Sequence, residues 1–126
     1  MIILAHPKIP SPTLIPARNA EEIAATPAGS VALIPYDLEL LRYCSDNDVR
    51  TAVHITEAAQ SVYANALGAG FLLCDLELAK KVQKIAETYL FDSKVIAIID
   101  ERLIEKVIEA GIDGVLLRNY TRDLWR

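Results

Sequence analysis

Two histidines, His6 and His54, are the side chains of this sequence best suited to carry a proton near neutral pH. Both stand near the ends of short apolar runs, and they have company there. His6, Tyr36, Asp37, His54, Thr56, Cys74, Asp75, Asp100, Arg118 and Asn119 all fall at or just beyond the carboxyl end of such a run. If the runs are parallel strands, these residues share one rim of the sheet, the edge at which α/β proteins hold ligands. Histidines, a thiol and carboxylates on one edge have the chemistry of a divalent-metal site or of an acid/base pair. Thr56, Arg118 and Asn119 are the candidate contacts for an anion, with His6 or His54 as the proton carrier.

Spacing narrows these options. The sequence has no Cys-x-x-Cys and no His-x-x-x-His pair, so neither a metal nor a cofactor is expected. Asp37, Asp75 and Asp100 each precede a helical pattern, where a carboxylate caps orphan N–H groups, and that role is preferred for them. His54 sits inside an apolar run, as a hydrogen-bonded core histidine would. Gly68-Ala-Gly70 follows a helical pattern instead of opening one, which excludes a dinucleotide loop. Neither a phosphate-cradling Gly-x-x-x-x-Gly-Lys-Ser/Thr loop nor a Gly-x-Ser-x-Gly elbow is present. Response-regulator receivers end their first strand in an acidic pair, whereas here the position reads Ala5-His6-Pro7.

The elements that must position these residues are legible from periodicity. Apolar runs at Val31–Pro35, Thr51–Ile55, Phe71–Cys74, Val95–Ile99 and Val115–Leu117 predict strands covered on both faces. Ile2–Ala5 and Leu14–Ala17 add two more. Between them the period lengthens to that of a helix. Leu78, Val82, Ile85 and Tyr89 form one stripe, and Leu103, Ile104, Val107 and Ile108 another. The helix between Glu57 and Leu67 is alanine-rich and predicts close packing on the sheet. Asn19, Asp37, Thr56, Asp75 and Asp100 are the expected N-caps, and Gly68 and Gly111 the expected terminators. The connections from strand to helix are nearly absent, which leaves little material for a buried active site.

At 126 residues, 52% of them apolar, the chain predicts a single α/β domain spanning 1–126. A Pro-rich extended connector is expected at 6–18, and a basic aromatic tail at 118–126. The expected fold is a three-layer open, mostly parallel sheet of five to seven strands, flavodoxin-like or Rossmann-like, with a half-barrel as the alternative. Eight strand–helix units do not fit this length, so a complete barrel is excluded. Thirteen basic against seventeen acidic residues give a net charge of −4, which argues against a nucleic-acid partner. No apolar run approaches the roughly 20 residues of a membrane span, and the start lacks a secretory pattern, so the expected location is cytoplasmic, without a membrane partner. Cys44 and Cys74 read as isolated, buried, reduced thiols.

A shift of 43 residues lays Ala52–Thr56 and the helix to Gly68 over Val95–Ile99 and the helix to Gly111. Each unit then runs into a further strand. The phrase Val107-Ile-Glu-Ala-Gly-Ile-Asp-Gly-Val-Leu-Leu117 resembles the helix-to-strand joints of phosphate-binding βα-barrel enzymes. Asn65-Ala-Leu-Gly-Ala-Gly-Phe71, followed by Leu76-Glu-Leu-Ala-Lys-Lys-Val-Gln-Lys-Ile-Ala-Glu-Thr-Tyr-Leu-Phe-Asp-Ser-Lys94, is similar to a family of small bacterial single-domain α/β proteins. That resemblance covers most of Val31 to Leu117 and implies the same fold, with no activity or site to transfer. Tyr120, Leu124 and Trp125 lie among arginines and are the candidate interface, docking on a second subunit or folding back on their own domain. The favoured expectation is a non-enzymatic binding or assembly module that forms a homo-oligomer. The alternative is a small enzyme or sensor that binds a phosphorylated or otherwise anionic metabolite on the rim.

Overall fold

The computed structural model describes residues 1–121. Seven strands alternate with five helices: β1 (Ile2–Leu4), β2 (Leu14–Pro16), α1 (Ala20–Ala24), β3 (Val31–Pro35), α2 (Leu38–Asp46), β4 (Thr51–His54), α3 (Ala58–Ala66), β5 (Phe71–Cys74), α4 (Leu76–Thr88), β6 (Lys94–Ile99), α5 (Ile104–Ala110) and β7 (Gly114–Leu117). Short 3-10 turns follow β6 and β7, at Glu101–Leu103 and Arg118–Tyr120. All six strand pairings are parallel, in the order β1-β7-β6-β5-β4-β3-β2. The expected α/β class with an open parallel sheet of five to seven strands is therefore found, and the sheet takes the curl of the half-barrel alternative.

The curl follows from the order. β1 and β2 are consecutive in the chain, yet they occupy opposite edges of the sheet. Laid flat, those edges would stand about 29 Å apart, at ~4.8 Å per strand. The connection cannot cover this, because the Ser11 hydroxyl accepts the Ala5 N–H at 3.3 Å and so holds residue 11 beside the end of β1. Three residues later β2 has begun, a reach of about 10 Å at most. The two edges must approach, and Leu4 and Leu14 accordingly join one apolar cluster. β2 is the strand expected at Leu14–Ala17, and it lies within the expected connector 6–18.

Two apolar cores divide the sheet by the alternation of strand side chains. The inner one holds Leu4, Leu14, Val31, Leu33, Ala52, Phe71, Leu73, Ile96, Ile98 and Leu116, all contributed by strands. The outer one joins the intervening strand residues, such as Val53, Leu72, Val95 and Val115, to the buried faces of all five helices. Strand order rises steadily from β2 to β7, so right-handed crossovers place every helix on the same, outer face. The amino ends of β6 and β7 are joined by the buried Gln83 and the half-buried Asp113. Asp113 accepts the Val95 N–H at 2.9 Å and the Gln83 amide at 3.2 Å, and its own N–H donates to Gln83 at 3.0 Å.

Three helical details differ from the sequence pattern. α4 buries Ala79, Val82, Gln83 and Ala86, while Tyr89, its C-cap, is 71% exposed. Alanines let the helix sit low on the sheet, and the larger side chain leaves at the end. In α5 only Val107 is buried and Ile108 faces out, because the preceding 3-10 turn resets the helical phase. The cap of α3 is Glu57, one residue beyond Thr56, and Gln60 accepts the N–H groups of both. Gly111 closes α5 at φ 67° as expected, and Gly68 stands just beyond α3 at φ 80°, so the 43-residue repeat holds in backbone conformation.

Gly114 opens β7 where β1 and β6 close in on both sides. A Cβ there would meet the Ile2 carbonyl oxygen, the Ile2 Cβ at 2.7 Å and the Ile96 Cδ1 at 2.9 Å. Gly114→Ala should therefore lower stability by about 1–3 kcal/mol, the usual cost of overpacking, measured as a lowered urea midpoint at unchanged slope. A midpoint equal to that of the parent would show that β1 is free to move away.

Candidate functional site

The carboxyl rim is built from very short joints. Tyr36-Asp37 links β3 to α2, Asp75 alone links β5 to α4, and Asp100 alone links β6 to its 3-10 turn. Each carboxylate serves the turn it precedes. Asp37 accepts from Leu40 N–H at 3.1 Å, Asp75 from Leu78 N–H at 2.8 Å and Asp100 from Arg102 N–H at 3.0 Å. Asn19 does the same for α1 through Glu22 N–H. The capping role read from sequence is thus what the geometry uses.

His6, Asp100 and Asn119 come together where β1, β7 and β6 end. Asn119 accepts the Glu101 N–H at 2.8 Å and donates to Asp100 at 3.4 Å, which ties the two 3-10 turns. His6 Nδ1 accepts the Lys8 N–H at 3.1 Å. Its proton therefore resides on Nε2, which faces the Glu101 carboxylate at 3.5 Å. Each ring nitrogen thus has a polar neighbour. Tyr120 packs against the ring edge-on, 5.5 Å between centroids, and donates its hydroxyl to Glu101 at 3.3 Å. Desolvation, then the Glu101 charge and that hydrogen bond, raise the Tyr120 phenol above its ordinary value.

The remaining candidates lie elsewhere. His54 and Asp75 end β4 and β5, on the far side of β6. Burial lowers the His54 pKa from its ordinary value, and the nearby Asp75 charge partly opposes that. Cys74 is fully buried, and desolvation followed by the Asp75 charge pushes its thiol up to about 12, which removes it as a nucleophile at neutral pH. Cys44 is likewise a buried free thiol raised by burial. Thr56 gives its N–H to Gln60 at 2.8 Å, and its hydroxyl lies 3.5 Å from the same oxygen. Tyr36 packs against the outer core, and Arg118 is exposed with no ion pair among the described residues. The ten rim residues do not converge on one centre. No group of three or more metal-ligating side chains occurs among the described residues.

Sequence reasoning missed Glu101, the residue on which His6 and Tyr120 meet; its one signal was its place directly after the capping Asp100. It also missed Ser11. Beside that residue the open edge between β1 and β2 leaves a cleft of about 340 Å³, lined by Ala5, Ser11, Pro12, Thr13, Leu14, Tyr120 and Thr121. Of the predicted interface, Tyr120 stands in this wall at 45% exposure, whereas Leu124 and Trp125 lie outside the described residues. No helix among the described residues is long and apolar enough to cross a membrane. No protein-family model and no curated protein matches the chain.

His54 gives this rim a pH dependence. A histidine whose pKa is lower folded than unfolded contributes full stability above the unfolded value, near 6.5, and loses it as pH falls through the folded value. Urea midpoints of the parent should therefore decline below pH 6.5 more steeply than those of His54→Gln. Parallel profiles for the two would remove His54 as the source.

Proposed function

We propose that this protein is a non-enzymatic binding and assembly module that acts in the cytoplasm as a homo-oligomer, akin to the small bacterial single-domain α/β proteins it resembles. One observation carries the reading: rim groups able to do chemistry are already committed to one another. His6 has both nitrogens engaged, Asp37, Asp75 and Asp100 cap their own turns, and Asn119 joins two loops. Each of these groups would have to give up its present partner before it could act on a substrate.

The rim also offers an anion little. The N-termini of α2, α3 and α4 carry Asp37, Glu57 and Asp75, whose charges occupy the positions a phosphate would take. Arg118, exposed and without an ion pair among the described residues, is the one feature that favours the alternative of a phosphorylated or anionic metabolite. The net charge of −4 supports a partner that is neither nucleic acid nor an anionic membrane surface. The segment Tyr120 to Arg126, with Leu124 and Trp125 between arginines, has the composition of an interface anchor.

Two measurements test this. Thermal shift with inorganic phosphate, citrate, Mg²⁺ and Zn²⁺ should leave the melting temperature unchanged. A ligand at 100 times its Kd would add about 2.7 kcal/mol, several degrees for a domain of this size. An anion-dependent rise abolished by Arg118→Ala would transfer the function to the alternative. In light scattering the parent should be oligomeric, and Leu124→Ser with Trp125→Ser should give a monomer of unchanged far-ultraviolet helical signal. Unfolding of that double variant would place the tail in the core, and an unchanged mass would remove it from assembly.

A further inference from the structure

We propose that the amino-end rim of the sheet, opposite His6 and Glu101, holds a small organic amine, as its ammonium ion, in the cavity between the ends of α1 and α2. The cavity measures about 630 Å³, the size of a small-ligand pocket, and Ile23, Pro27, Ser30, Tyr43, Asn47 and Asp48 stand in its wall. Ile23 and Tyr43 belong to the outer core and give it an apolar side, whereas Asp48 brings a carboxylate. One carboxylate is too few ligands for a metal ion, and no group of three metal-ligating side chains occurs among the described residues. An ammonium ion needs less. It takes one carboxylate to pair with, further oxygens for its remaining protons, and an aromatic or aliphatic wall for its carbon body.

Asp48 is an unfavourable residue for its place in the fold. It follows the cap of α2 at φ 54°, in the left-handed region, where Gly68 at φ 80° and Gly111 at φ 67° serve α3 and α5. It also sets a negative charge at the negative end of the α2 dipole, and the last turn of α2 has no basic residue to offset it. Nothing within the chain answers that charge: neither the Asp48 carboxylate nor the Tyr43 hydroxyl forms a hydrogen bond or an ion pair among the described residues. Asn47 donates its amide to the Tyr43 carbonyl at 2.8 Å, which leaves its side-chain oxygen as a further acceptor. A cation in the cavity would meet the carboxylate, that oxygen and the negative helix end together.

Arg50 lines the same cavity but carries its charge away from it. Strand alternation puts it on the side of Ala52, and its guanidinium carbon lies 4.9 Å from the centre of the Phe71 ring; both Ala52 and Phe71 belong to the inner core. A Cβ on Gly70 would meet the Arg50 Cγ at 3.4 Å, so the side chain runs across Gly70 towards β5. Asp48 is then the charged residue on the outer-core side of the wall, and it sets the sign of the ligand.

Isothermal titration of the full chain with cadaverine, at fixed ionic strength, tests the site. The parent should bind the diamine, and Asp48→Asn should weaken binding by about tenfold or more, as loss of a charge-assisted contact does. Asparagine tolerates the left-handed region, so the fold is kept. Asp48→Gly should lose binding too while its urea midpoint rises, because glycine relieves the strain at φ 54°. Glu109→Gln removes the same charge from an exposed position on α5 and should bind as the parent does. Binding that survives in both Asp48 variants, or that falls as far in Glu109→Gln, would overturn the site, as would a parent that takes up no diamine.

Discussion

A chain whose first strand lies beside its last, and whose second strand lies at the far edge of the same sheet, has to bring those edges together. Here the bond from the Ala5 N–H to the Ser11 hydroxyl leaves only Pro12 and Thr13 to reach β2, so the sheet curls. The remaining architecture depends on this. Curling turns one face of the sheet inward, where strand side chains pack against one another. It leaves the other face, convex, to take all the helices. It also explains the tight place of Gly114, whose strand is enclosed between β1 and β6. The edges still do not pair, because Pro16 lacks a donor and Ser11 has already satisfied Ala5.

The same economy shapes the rim. Joints of one to three residues between strand and helix put Asp37, Glu57, Asp75 and Asp100 at the first turn of the next element, where the best partners of a carboxylate are that turn's own N–H groups. Polar side chains at the β1–β7 edge then have to hold two 3-10 turns against the exit of β1, and His6, Glu101, Asn119 and Tyr120 do so as one network. Between the sheet edges a cleft stays open, which has hydroxyls and apolar walls but no charge.

The sequence by itself determined the strands, the helices, their alternation and the capping aspartates, because these depend on local periodicity and on hydrogen bonds within a few residues. It also placed the rim residues correctly at strand ends, as the positions of His6, Asp100 and Asn119 illustrate. Only the tertiary structure decided which of them meet. Strand order is a choice among long-range pairings that leaves no mark on local pattern, and it is this order that sets β1 beside β7 and joins His6 to Glu101 and Tyr120. The curl was equally hidden. Inner and outer core residues of β3 to β7 alternate in the same apolar alphabet, so the sequence shows two buried faces without showing that one is covered by helices and the other by the sheet itself.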